Sequence, residues 1–99
     1  MEIKVNRQEG RLTLSLSGRL DTITAPELEK AINEELKDAN ELVIDLSGLE
    51  YISSAGLRVL LSAQKKMNVL GGMTVEHPNE IVSEVFEVTG FSDVLTIVK

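Results

Sequence analysis

Leu42-Val43-Ile44-Asp45-Leu46 is short, β-branched and almost unbroken in its apolar character. A run of this kind reads as a strand buried on both faces, the mark of a central strand in a parallel sheet. Downstream of it comes Tyr51-Ile52-Ser53-Ser54-Ala55-Gly56-Leu57. A loop through Gly48 and Tyr51 is expected there, followed by a helix that opens at Ser53 or Ser54. Leu57, Leu60, Leu61, Met67 and Leu70 give this helix its apolar face, and it ends before Gly71-Gly72. Gly71 suits the left-handed position that follows a helix.

Upstream, Ile3 and Val5 alternate with Lys4 and Asn6, and Leu12, Leu14 and Leu16 alternate with Thr13, Ser15 and Ser17. Gln8-Glu9-Gly10 separates them, so the pair reads as a hairpin that Gly18 closes. Thr24-Ala25-Pro26-Glu27 carries helix-start signals: an N-cap threonine, a proline in the first turn and a glutamate at the capping-box position. Leu28, Ala31, Ile32 and Leu36 then repeat at helical spacing over about three turns. Beyond Gly72, Met73-Thr74-Val75 reads as a short strand. Pro78 precedes a helix from about Asn79 to Val88 with Val82, Val85 and Phe86 inward. Gly90 terminates it, and Val94 to Val98 reads as a last strand.

The order β-β-α-β-α-β-α-β predicts a single α/β domain with a mixed, mostly parallel sheet and helices on one or both faces. The 99 residues match one domain, and an apolar content of 42% suits a packed core. There is no cysteine, which excludes a disulfide, a thiolate metal site and a cysteine nucleophile, and agrees with a cytoplasmic setting. A net charge of -6 disfavours nucleic acid as a partner. No stretch approaches the roughly 20 apolar residues of a membrane span, and Met1-Glu2-Ile3-Lys4 does not begin a signal peptide.

The chemistry concentrates at Ser53 and Ser54. Sites in open α/β sheets gather where a strand hands over to a helix, and Ala55 and Gly56 leave space for a partner to approach. Two serines before a helix are also good N-caps, so capping and function both remain open. A serine nucleophile would need a base; the one histidine, His77, lies in another connection, and no glycine-flanked nucleophile elbow is present. No G-x-x-x-x-G-K phosphate loop exists, which leaves a nucleotide sensor without a cradle. Asp21, Asp45 and Glu50 could suggest a metal cluster only if the fold brought them together. Asp21 itself reads either as a turn residue bonded to nearby backbone or as a carboxylate beside the serine loop. Arg58, Ser62 and Lys65 share a helix face, which is either solvated or a docking surface flanking Ser54.

Gly18-Arg19-Leu20-Asp21, Val43-Ile44-Asp45-Leu46-Ser47 and Tyr51-Ile52-Ser53-Ser54-Ala55-Gly56-Leu57, with Gly71-Gly72 and Val88-Thr89-Gly90-Phe91 behind them, resemble the STAS domain over nearly the whole chain. A chain of this length most resembles a bacterial anti-sigma-factor antagonist. The resemblance implies a binding protein, not an enzyme, without cofactor or metal. It implies an anti-sigma factor serine kinase as partner, phosphorylation at Ser54, two residues before the glycine, and reversal by a PP2C-type phosphatase. Asp21 matches the family's loop aspartate. The expected contact set is Asp21, Ser53, Ser54, Ala55, Gly56 and Arg58. Ser53 stands where many phosphorylated members carry aspartate, so it is a second candidate for modification. A binding subunit of another STAS assembly, never phosphorylated, is the alternative.

Overall fold

The computed structural model describes all 99 residues. Its strands are β1 (Glu2–Gln8), β2 (Arg11–Leu20), β3 (Glu41–Ile52), β4 (Met73–Glu76) and β5 (Ile97–Val98). Its helices are α1 (Ala25–Glu35), α2 (Ser54–Leu70) and α3 (Glu80–Thr89), with a 3₁₀ turn at Phe91–Asp93. The strands lie side by side in chain order, β1 antiparallel to β2 and every later pair parallel. The central strand is β3, as its apolar run predicts.

Strand order decides how many faces are covered. Each parallel step moves in the same direction across the sheet. Right-handed crossovers therefore lay every connecting helix on the same side. Leu12, Leu14, Leu42, Ile44, Met73 and Val75 on that side join Leu28 and Ile32 of α1, Leu60 and Met67 of α2, and Val82 and Phe86 of α3 in one core. The opposite face carries Lys4, Thr13, Ser15, Asp45 and Thr74, and its one buried apolar residue, Val43, stands outside that core.

Three expectations about the strands are corrected. Gly18 does not close β2, which continues to Leu20, and the loop expected through Gly48 and Tyr51 is the far half of β3. Register slips between Ser15 and Ser17, and between Gly18 and Arg19, give β3 an extra residue each time. Its buried residues there are Leu46, Leu49 and Ile52, spaced by three rather than two. Bulges erase the alternation by which a strand is read from sequence. The last strand is only Ile97–Val98, because the 3₁₀ turn continues into Val94 and Leu95, whose N–H groups bond back to Phe91.

The two helix-ending glycines differ. Gly90 is left-handed at φ 82°, as expected. Gly71 is not, at φ 154°, and a Cβ there would lie 1.9 Å from the Asn40 carbonyl oxygen. The backbone of the α1–β3 connection fills the space any side chain would need.

Candidate functional site

The carboxyl ends of β2 and β3 are joined directly. Leu20 pairs with Ile52, and the Ser53 N–H donates to the Leu20 carbonyl at 2.9 Å. The residues that follow, Asp21 on one strand and Ser53-Ser54 on the other, are thereby brought to the same edge. Residues far apart in sequence become one surface through a single pair of register partners.

Asp21 organises its own loop. Its Oδ1 accepts the N–H groups of Ile23 at 3.0 Å and Thr24 at 3.1 Å. The Asp21 N–H donates to Thr24 Oγ1 at 2.8 Å, and the Thr24 hydroxyl donates to the Arg19 carbonyl at 2.8 Å. The Ala25 N–H reaches the Asp21 carbonyl at 2.8 Å. This is a reciprocal capping box one turn earlier than expected: Asp21 caps and Thr24 returns the bond. The Thr24 cap and the Glu27 box are therefore corrected, since Thr24 makes no cap bond to α1 from its own side chain. The bond from the Thr24 N–H outweighs the opposing desolvation and, with the Thr24 hydroxyl, the Ile23 N–H and the nearby Arg19 guanidinium, holds the Asp21 carboxyl below the usual carboxylate range.

The start of α2 is built differently. Ser53 is extended (φ -101°, ψ 176°), and its carbonyl accepts the first helical bond, from the Leu57 N–H at 3.0 Å. Its side chain caps nothing. The Ser53 Oγ is buried without a hydrogen-bond partner. Ser54 is exposed in the first turn. The capping role expected of the serines is absent, and only the Ser54 hydroxyl is presented to an incoming group.

Gly56 is also corrected. It is buried, and a Cβ there would sit 2.6 Å from Leu20 Cγ and 3.0 Å from Ile52 Cγ1. The space it leaves is filled by the protein's own strand ends, which lets α2 seat closely, and no partner reaches it. Ala55 is half-buried against the core. Arg58, one turn beyond Ser54, is exposed. The accessible part of the expected contact set is thus Asp21, Ser54, part of Ala55 and Arg58.

Two features escaped the sequence reading. Arg19 lies over the Tyr51 ring, 4.5 Å from its centre, and its Nε is 4.0 Å from Asp21 Oδ2. The pair follows from the Arg19–Tyr51 register, which the bulges conceal. Ile23 stands 82% exposed between Asp21 and the first turn of α1. An isoleucine flanked by Thr22 and Thr24 in a turn, outside any helical or strand period, was the available signal.

The remaining candidates do not assemble with the serines. His77 stands 3.9 Å from Glu76 at the end of β4 and makes no hydrogen bond to Ser53 or Ser54. Asp45 accepts from Ser15 Oγ at 3.1 Å and the Ser47 N–H at 3.0 Å. Burial pushes its carboxyl up, but these bonds outweigh burial and hold it low. Asp21, Asp45 and Glu50 form no cluster.

An exposed serine thus opens the helix after the central strand, beside a capped aspartate loop, at the positions by which the sequence resembles the STAS domain. Residues 3–98 match the family model described as "Mlab, STAS domain". The chain belongs to the STAS family. It is 33% identical to the Bordetella bronchiseptica protein named as anti-sigma factor antagonist BtrV, over 98% of this chain and 85% of that one. It is 26% identical to the anti-sigma-B factor antagonist of Bacillus subtilis, over 98% of this chain and 90% of that one. The crystal structure of an anti-sigma factor antagonist from Mycobacterium paratuberculosis superimposes with a TM-score of 0.88 at 31% identity, covering 97% of this chain and 83% of that one. No helix is long and apolar enough to cross a membrane.

Proposed function

We propose that this chain is an anti-sigma-factor antagonist that binds an anti-sigma factor and is released from it by phosphorylation of Ser54. The observation that carries the reading is the exposed Ser54 hydroxyl in the first turn of α2, with the neighbouring Ser53 Oγ buried and out of reach. The chain is then a substrate of its partner, an ATP-dependent serine kinase, and the cycle runs in the cytoplasm. Transfer joins Ser54 Oγ to the γ-phosphorus of ATP, breaks the bond to ADP and gives the serine proton to a base on the kinase. A PP2C-type phosphatase reverses it.

Phosphate adds about -1.5 to -2 charge. The helix start tolerates an anion, because its free N–H groups and dipole favour one. The penalty falls on the complex, where the new charge faces a pocket still holding nucleoside diphosphate. A loss of about 2.8 kcal/mol, ordinary for an unpaired interfacial charge, weakens binding roughly a hundredfold. Asp21 and Ile23, in the loop that leaves the neighbouring strand end, and Arg58, one turn along α2, supply the rest of the contact.

Mass spectrometry after incubation with the cognate kinase and ATP tests this. Phosphate on Ser54, absent in Ser54→Ala, is expected, together with a roughly hundredfold loss of affinity on phosphorylation. A stable complex with no phosphate transfer would favour a second reading, a constitutive STAS subunit of another assembly. Ser53, standing where many phosphorylated members carry aspartate, speaks for that reading.

A further inference from the structure

Helix α3 presents two faces. Val82 and Phe86 enter the core, while Ile81 is 59% exposed, Val88 is 79% exposed and Val85 lies half-buried between them. Positions 81, 85 and 88 recur as i, i+4 and i+7, one stripe along the helix. With Glu84 and Thr89 they line an open groove of about 400 Å³. Glu80, Glu84 and Glu87 repeat the same spacing one residue earlier, a row about 100° round the helix. No ion pair engages any of the three. Between Lys66 and Lys99 the chain carries Glu76, Glu80, Glu84, Glu87 and Asp93, and no lysine or arginine. Single exposed apolar residues are ordinary. An apolar stripe with an unpaired acidic row beside it is a patterned surface that internal packing does not require.

We propose that this face of α3 docks an amphipathic helical segment of another protein, whose apolar residues enter the groove between Ile81 and Val88 and whose lysines or arginines meet Glu80, Glu84 and Glu87. Charge selects the occupant. A second copy of this chain docked through the same face would bring two acidic rows together, with Lys99, which shares a pocket with Glu87, offsetting little of the charge, and an anionic bilayer would be repelled for the same reason. A basic amphipathic helix satisfies both rows at once, as helix-in-groove recognition requires. The surface lies on a different helix from Ser54 and includes none of the residues around it, so it gives the chain a second point of attachment.

Two peptides of equal length test the proposal by NMR titration of the intact, isotope-labelled chain. Both carry leucine at i, i+4 and i+7; one adds lysine and arginine alongside, the other glutamate. The basic peptide is expected to bind and to shift amides of α3, and the acidic one to bind at least about tenfold more weakly. Ile81→Ser with Val88→Ser, both at exposed positions, should weaken the basic peptide by about tenfold. Glu84→Lys with Glu87→Lys should exchange the preference between the peptides. A photo-crosslinker at position 84 in the native host should then capture a segment of basic amphipathic character. Unchanged binding in both variants, shifts confined to other elements, a crosslinked segment that is acidic, or a dimer that Val88→Ser dissolves would overturn the proposal.

Discussion

The helices α1 and α2 both follow strands that end side by side, yet their first turns are finished in opposite ways. The α1 turn is closed by its own side chains: Asp21 accepts two N–H groups, and Thr24 returns a bond to Asp21. The α2 turn has two serines available, and neither caps it; the Ser53 Oγ is buried without a partner and Ser54 points outward. Helix α3 sides with α1, since Asn79 Oδ1 accepts the Val82 N–H at 2.7 Å. The difference teaches that a helix start can be assigned by its caps. Where the chain satisfies its own N–H groups, the start is structural. Where it leaves them free beside an exposed hydroxyl, the start can accept an anion.

The largest effect in this comparison is expected at Gly56, which seats α2 against Leu20 and Ile52. Gly56→Val should overpack that contact and destabilise the fold by about 3 kcal/mol, the upper end for such insertions, read by urea denaturation. A variant of native stability would mean that α2 can move outward and that the close approach is not required. Next comes Asn79→Ala. It removes the α3 cap and the bond that Asn79 Nδ2 donates to the Leu49 carbonyl at 3.0 Å, and it should cost about 1.5 kcal/mol in the same measurement.

Asp21→Ala sharpens the comparison through pH. The Asp21 carboxyl is held below its usual range in the folded state. The unfolded chain therefore binds the proton more readily, and the stabilisation is complete above the unfolded carboxylate value. It fades as pH falls through the lower folded value. The Tm of Asp21→Ala should lie below that of the unmodified chain at neutral pH, and the gap should close in acid. A gap independent of pH would show that the carboxylate charge is not what the cap uses. The smallest effect is expected at Ser53→Ala. A buried hydroxyl without a partner contributes no bond to lose, so stability should be unchanged or raised by up to about 1 kcal/mol. A loss comparable to that of Asn79→Ala would mean that Ser53 caps after all and would erase the distinction between the two helix starts.

The expected element order matches the structure, because alternation in β2 and helical spacing in α1, α2 and α3 follow directly from which residues must be buried, while β1, none of whose residues is buried, takes its place by pairing with β2. The far half of β3 was missed for a definable reason: Leu46, Leu49 and Ile52 are buried at intervals of three, and only the slipped pairing with β2 produces that interval. Ser54 was visible as a serine at a strand-to-helix junction. The burial of the Ser53 Oγ was not, because an extended residue ahead of a helix can turn its side chain either way. The occlusion of Gly56 was invisible for a related reason, since a glycine reads identically whether a partner or the chain's own leucine fills the space beside it. Ile23 leaves only a faint mark in the sequence, an isoleucine among turn residues outside any strand or helix period.

Local patterns along the chain were thus enough to set the elements, their order and the helix that the serine opens, since each depends on side chains a few positions apart. Which serine is reachable, and that Asp21 and Ser54 share an edge, were decided only when Leu20 paired with Ile52. Burial and pairing between distant segments are properties of the packed chain, and short-range spacing carries no record of them.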